Sequence, residues 1–295
     1  MVRPAPDLPR RLVYLGTPDV AVPPLKALHA AGFEIPLVVT RADKKRGRGS
    51  ELTPSPVKAA ATDLGLTVTT DVDAALDVDA DLGVVVAFGR IIKPHVLDML
   101  AMVNLHFSLL PRWRGAAPVE RAILAGDAET GVCLMEVAEG LDEGGVYRRI
   151  ETPIDPDETL GELRGRLVDL GSAQVVDALR EGLGSPVPQD GEITYAEKIA
   201  KSEHQLDWSR PAHDVHATVR IGGAWTTAAG KRLKVHRAAL TDRGDLAPGQ
   251  VAGTVVGTGT TAVELVEVQP EGKPRRAARD WVNGAQLGPD DRLGR

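Results

Sequence analysis

The sequence predicts an α/β protein: a doubly wound domain on a mostly parallel sheet, followed by a small β-barrel domain. Two observations carry this. Short β-rich runs alternate with helical patterns over residues 1–182, at the spacing of strand–helix–strand units. From about Trp208 the texture changes to short alternating runs. Charge divides along the same line. Up to Asp207 there are 22 Lys+Arg against 32 Asp+Glu (−10), and from Trp208 there are 13 against 9 (+4), giving the total of −6. A basic small part behind an acidic large one points to a polyanionic partner for the former.

The elements follow in order. "RLVYLG" (Arg11–Gly16) is a β-rich run stopping at glycine, and "TPDVAVPPLKALHAAG" carries a helical pattern to Gly32. Glu34–Thr40 reads as a second strand and "SPVKAAATDLGL" as a second helix. "DLGVVVAFG" (Asp81–Gly89) is nearly continuously apolar, the mark of a strand buried on both faces of a parallel sheet. "KPHVLDML" then reads as helix and "VNLHFS" as strand; "AAPVERAILAG" is helical to Gly126 and "GVCLMEVA" is again a strand. Thr159–Gly182 is a long amphipathic helix with a break expected near Gly171. Residues 183–207, polar and rich in turn formers, are expected to link the domain of residues 1–182 to the barrel of residues 208–295. In the barrel the strand candidates are "RLKVHRAAL", "GQVAGTVVG", "TTAVELVEVQP" and "ARDWVNG".

Composition excludes several classes. With 43% hydrophobic and 26% charged residues the 295-residue chain is ordinary globular material, but at 3% aromatics its core must be built from Ala, Val and Leu. The single cysteine, Cys133, allows no internal disulfide and no cysteine zinc site, and its apolar neighbours mark it as a small buried hydrophobe. No apolar run approaches ~18 residues, and "MVRPAPDLPR" lacks the apolar centre of a signal peptide, so a cytoplasmic protein without membrane contact is expected. "GTPD" (Gly16–Asp19) after the first strand is not a dinucleotide fingerprint, so no nucleotide cofactor is inferred and a dinucleotide-dependent oxidoreductase is disfavoured. His29, His95, His204, His213, His216 and His236 lie in helical or linker contexts with no role assigned, and no metal site is expected.

Chemistry concentrates in "NLHFSLLPRWRG" (Asn104–Gly115). Residues two apart on a strand share a face, so Asn104 and His106 project together while Val103, Leu105 and Phe107 turn to the core. Near the carboxyl end of a parallel strand the pair would face the crevice where such domains bind ligands. An amide donates to a developing oxyanion, and an imidazole donates or moves a proton. Asp142, in the glycine-rich "EVAEGLDEGGVY", is the candidate to orient and charge-balance the histidine. Asn, His and Asp without a serine or cysteine nucleophile describe direct acyl transfer. An amine attacks a carbonyl, Asn104 and His106 stabilise the tetrahedral oxyanion, and Asp142 assists the proton transfer.

The run "NLHFSLLPRWRGAAPVERAILAGDAETGV" followed by "GLDEGG" resembles the folate-dependent formyltransferase family. The likeness extends through "YLGTPDVAVPPLKAL", "RGRGSELTPSPVK", "VVVAFGRII", "ITYAEKI", "LDWSRPA" and "VQPEGKPRRAARDWVNG", essentially the whole chain. The N-x-H, S-L-L-P and G-L-D-x-G set marks the superfamily. The "RGRG…TPSPVK" segment and the C-terminal signals select the branch that formylates methionyl initiator tRNA for translation initiation.

The resemblance implies a Rossmann-like formyltransferase core and an OB-like, tRNA-binding barrel. It implies 10-formyltetrahydrofolate as formyl donor, with no metal, and Asn104, His106 and Asp142 as the catalytic residues. The folate would lie against Phe88, Gly89, Arg90, Ile91 and Ile92, against Ser108, Leu109, Leu110 and Pro111, and against Leu141. The acceptor would be the α-amine of methionine on initiator tRNA, bound by a monomer. The basic loop with Arg41, Lys44, Lys45, Arg46 and Arg48 against Asp43 would contact its acceptor stem. Compared with the family, "VRIGGAWTTAAGK" (Val219–Lys231) is a shortened stretch. Two other readings compete: a formyltransferase acting on an amino-sugar or ribonucleotide amine, and a non-catalytic RNA-binding module. The former has no use for the basic loop and barrel, and the intact Asn104, His106 and Asp142 argue against the latter.

Overall fold

The structure, a computed structural model, describes residues 3–45, 52–285 and 291–294. The chain gathers into two units. The first holds Met1–Pro118, Glu129–Pro153 and Arg164–Glu197; the second holds Val119–Ala128, Ile154–Leu163 and Lys198–Arg295.

The first unit is built on seven strands: β1 (Arg11–Gly16), β2 (Glu34–Val39), β3 (Val68–Thr69), β4 (Leu82–Val86), β5 (Met102–His106), β6 (Glu129–Glu136) and β7 (Val146–Pro153). Their order is β7-β6-β5-β4-β1-β2-β3. The pairs β1–β2, β2–β3, β1–β4 and β4–β5 are parallel, while β5–β6 and β6–β7 are antiparallel. The chain winds outward from β1 to β3 and then returns to β4 on the other side, which makes the β1–β4 boundary a topological switch point. Strand β4 is buried at every position, as expected of a strand covered on both faces. It is shorter than its apolar run, because Ala87 (φ 46°) and Gly89 (φ 69°) turn the chain after Val86.

Helices α1 (Val22–Ala30) and α2 (Pro56–Asp63) carry proline in the first turn, where the missing N–H costs nothing. The Ser55 hydroxyl caps α2, accepting from the Lys58 N–H at 3.0 Å. Helix α3 (Pro94–Met99) leads into β5. After α4 (Pro118–Ala125), helix α5 (Leu160–Glu181) runs unbroken for 22 residues. The expected break at Gly171 is absent: a Cβ there would sit 3.2 Å from Val132 Cγ1 and 3.5 Å from Phe107 Cε1. Glycine lets the helix lie close on the sheet, and that packing outweighs its poor helix propensity.

Strand β7 was not expected. "VYRRIETP" begins with two buried residues and then alternates partly buried with exposed positions in an end strand of the sheet, and its polar face hid it in the loop. Residues 183–197, expected to start a linker, run along the first unit. Val187 pairs with Val146, and Tyr195–Ala196 forms a two-residue parallel strand with Arg114–Gly115.

The second unit carries α6 (Ala212–Arg220) and the strands β8 (Trp225–Ala228), β9 (Lys231–Thr241), β10 (Val251–Ala252), β11 (Val255–Gly257), β12 (Ala262–Pro270) and β13 (Arg276–Ala277). They form an antiparallel sheet in the order β8-β9-β12-β11-β10, with β13 on β12. Its core includes Trp208, Val219, Leu233, Val235, Val263 and Leu265. "ARDWVNG", read above as a strand, is helix α7 (Ala278–Ala285). Ala278 and Trp281 enter the core three residues apart, a helical spacing that so short a run disguised. Among the described residues no helix is long and apolar enough to cross a membrane.

Candidate active site

Strand β5 places Asn104 opposite Val85 of β4 and Met135 of β6, and His106 opposite Cys133 of β6. The two side chains therefore share one face, while Leu105 lies beside Gly171 of α5 on the other. Asn104 is half-buried, and among the described residues its amide has no hydrogen-bond partner. His106 is only 5% exposed, with Nε2 2.9 Å from the carbonyl oxygen of Trp113. A carbonyl only accepts, so Nε2 carries the hydrogen and donates it. Nδ1 is left as the nitrogen that exchanges a proton, and it faces Asp142 Oδ2 at 3.6 Å.

Asp142 is held by an unusual backbone. It lies at φ 50°, and Trp113, whose carbonyl faces the imidazole, lies at φ 64°. Non-glycine residues in this region cost about 1–3 kcal/mol each and persist only where surrounding structure fixes them. The fixing bonds are visible. Asp142 Oδ2 accepts from the Gly115 N–H at 2.8 Å. Gly115 itself lies at φ 122°, and a Cβ there would be 2.9 Å from the Ala196 carbonyl oxygen. The Gln189 Nε2 donates to the carbonyls of Asp142 and Gly144, both at 2.8 Å. Its Oε1 accepts from Nε and Nη2 of the buried Arg114 at 3.0 and 2.8 Å. The Trp113 N–H donates to Thr194 Oγ1 at 2.9 Å, and the Arg114 N–H donates to the Thr194 carbonyl at 2.9 Å.

The remaining predicted residues fall into two groups. Phe88 and Ile92 are buried and anchor the turn after β4, where Thr17 Oγ1 donates to the Phe88 carbonyl at 3.2 Å. Gly89 makes the turn, Arg90 Nη1 donates to the Thr70 carbonyl at 2.9 Å, and Ile91 is left 89% exposed. Leu141, beside Asp142, is 60% exposed. Ser108, Leu110 and Pro111 are buried and Leu109 partly so. The Ser108 hydroxyl donates to the Arg112 carbonyl at 2.6 Å, and the Leu110 carbonyl accepts from Arg149 Nη2 at 2.5 Å. In the basic segment, Arg41 is partly buried and Lys44 exposed. Lys44–Lys45 pairs with Leu52–Thr53. Its one acid, Asp43, is taken by Lys58 Nζ of α2 at 2.7 Å. Arg46 and Arg48 lie outside the described residues.

Sequence reasoning missed Trp113, Arg114, Gln189 and Thr194 as parts of this site. Trp113 and Arg114 stand in the quoted motif, and Thr194 in "ITYAEKI", but Gln189 carries no local signal because its partners are 47 and 75 residues away.

The arrangement can polarise a carbonyl and move a proton. It has no nucleophile of its own: the Ser108 hydroxyl is committed to a backbone carbonyl, and burial pushes the Cys133 thiol up, away from the reactive thiolate. Among the described residues no His, Cys, Asp and Glu side chains gather as a metal-binding set.

Known proteins resemble this chain in sequence and in fold. The formyl transferase family model matches residues 10–179, and the model for the formyl transferase C-terminal domain matches residues 198–286. A methionyl-tRNA formyltransferase of Jannaschia sp. is 46% identical, over 95% of this chain and 98% of that protein. One from Heliobacterium modesticaldum is 42% identical, over 96% and 100%. The solved N-formyltransferase of Helicobacter canadensis, in complex with folinic acid and dTDP-3-aminofucose, superposes with a TM-score of 0.66 at 16% identity, over 87% of this chain and 98% of that one; it shares the fold. Two matched models in chain order and relatives aligned over nearly their full length lead to one conclusion: the chain belongs to the formyl transferase family.

Proposed function

We propose that the chain transfers the formyl group of 10-formyltetrahydrofolate to the α-amine of methionine carried by initiator tRNA. One observation carries the reading. His106 Nδ1 faces the Asp142 carboxylate at 3.6 Å, and Asn104, two positions before His106 on the same strand face, has no hydrogen-bond partner among the described residues, in a chain closely similar to proteins named methionyl-tRNA formyltransferase. The neutral amine attacks the formyl carbon, a C–N bond forms, and the carbonyl electron pair moves onto oxygen. Asn104 donates a hydrogen bond to that oxygen, and His106 adds a second donor when Nδ1 is protonated. One proton must pass from the attacking nitrogen to N10 of the folate as the old C–N bond breaks. His106 Nδ1 relays it, and Asp142 balances the charge that passes through the ring.

The exposed apolar side chains of Ile91 and Leu141 suit a flat heterocycle, which supports placing the folate against Phe88–Ile92, Ser108–Pro111 and Leu141. Arg41, Lys44, Lys45, Arg46 and Arg48 would hold the acceptor stem, and the +4 charge of residues 208–295 suits phosphate contacts by the barrel domain. The chain would act as a cytoplasmic monomer, with residues 1–182 as its catalytic domain. The test is transfer of labelled formyl from 10-formyltetrahydrofolate to charged initiator tRNA, with amino-sugars as competitors. Transfer to tRNA that amino-sugars do not suppress supports the reading; turnover of an amino-sugar without transfer to tRNA sinks it.

A further inference from the structure

We infer that Gln189 and Thr194 are positioning residues for formyl transfer, and that the stretch from Gln189 to Ala196 is a brace that sets the His106–Asp142 pair; this rests on the function proposed above. Three contacts from this stretch converge on the two groups. Gln189 ties down the Asp142 loop through the carbonyls on either side of Glu143, with both Nε2 hydrogens used at 2.8 Å. Thr194 Oγ1 accepts the Trp113 N–H at 2.9 Å, and the Trp113 carbonyl is what receives His106 Nε2. Tyr195–Ala196 pairs with Arg114–Gly115, and the Gly115 N–H is the donor to Asp142 Oδ2. Both partners are thus aligned by one short stretch that acts on them through the backbone. Gln189 also accepts two N–H groups from the buried Arg114, so its orientation is not free: the guanidinium claims Oε1 and turns Nε2 toward the loop. At 3.6 Å, Nδ1 and Oδ2 are close enough for the charge of one to act on the other but are not tied by a direct hydrogen bond, so their alignment depends on the loop staying where this brace holds it.

Gln189→Glu separates the two halves of the brace. Glutamate still accepts from Arg114 at the same length, but it offers no donor to the Asp142 and Gly144 carbonyls. The full chain with this substitution should lose about 10–10²-fold in kcat, the scale of a misplacement near 1 Å, while KM for folate and for tRNA stays within about threefold. Thr194→Val should likewise lower kcat, and Thr194→Ser, which restores the acceptor, should recover it. A readout independent of turnover is hydrogen exchange of the Gly115 amide, whose acceptor is Asp142; its protection should fall in Gln189→Glu. Folded Gln189→Glu and Thr194→Val proteins with unchanged kcat, or unchanged Gly115 protection in Gln189→Glu, would overturn the inference. If the unsubstituted chain transfers no formyl to tRNA, the proposed function fails by itself. The brace then stands or falls on the Gly115 amide: reduced protection in Gln189→Glu upholds it and full protection refutes it.

Discussion

Replacing Asp142 with asparagine separates the charge of this residue from its hydrogen bond. An asparagine oxygen can still accept the Gly115 N–H now bound at 2.8 Å, so the left-handed turn at position 142 keeps its tie. What disappears is the negative charge 3.6 Å from His106 Nδ1. Two unit charges at that separation interact by about 4–5 kcal/mol at an effective dielectric of 20. The Asp142 side chain remains 17% exposed, so solvent removes part of this. If about half survives in the state where the ring carries the passing proton, the loss is about 2–3 kcal/mol, or roughly 10²-fold in kcat. Asp142→Ala also strands the Gly115 N–H and should lose about 1 kcal/mol more. The assay is single-turnover formyl transfer to charged initiator tRNA at saturating folate, which isolates the chemical step. An Asp142→Asn enzyme within about threefold of the unsubstituted rate would refute a charge-balancing role, because two unit charges this close interact by about 1 kcal/mol even in bulk water, which is more than threefold. Equal rates for the two variants would show that the Gly115 bond adds nothing.

Three further outcomes follow from the same geometry. Asn104→Ala should lower kcat by roughly 10²–10³ with little change in KM, the signature of an oxyanion donor, measured in the same transfer assay. Replacing Lys44, Lys45 and Arg46 together should weaken tRNA binding and flatten its salt dependence by up to about three in log–log slope, with folate binding by calorimetry unchanged. In the second unit, burial holds the His216 imidazole below its ordinary pKa, against the opposing pull of Asp157 at 3.4 Å. The unfolded chain therefore binds this proton more readily, so stability is intact above about pH 6.5 and is lost as the pH falls below it. His216→Gln should flatten that acid-side loss in denaturant melts.

Much of the candidate site is legible because it is local. Strand geometry alone puts Asn104 and His106 side by side, and the continuous apolar run of β4 announces a strand buried on both faces. Periodicity failed where tertiary packing overrode it. Gly171 reads as a breaker, but it marks close approach of α5 to Val132 and Phe107. "ARDWVNG" offers too few residues to tell a period of two from one of 3.6, and it is a helix because Ala278 and Trp281 share a core contact. Strand β7 was hidden by two arginines that each have work elsewhere: Arg148 donates to the Gly182 carbonyl and Arg149 to that of Leu110.

The least legible part of the site is the stretch that resembles a linker. Its composition is that of a loop, and composition is all that a single sequence offers for a segment without periodicity. Its role depends on where three distant backbone groups lie: the N–H of Trp113 and the carbonyls of Asp142 and Gly144. Each is an obligatory hydrogen-bonding group that the fold must satisfy somewhere, yet backbone groups leave no trace in residue identity. The polar residues that do leave one, Gln189 and Thr194, look the same whether they face water or Asp142. A candidate motif of three polar side chains can therefore be proposed from sequence. The stretch proposed to keep His106 and Asp142 3.6 Å apart acts through contacts 45 to 81 residues apart in the chain.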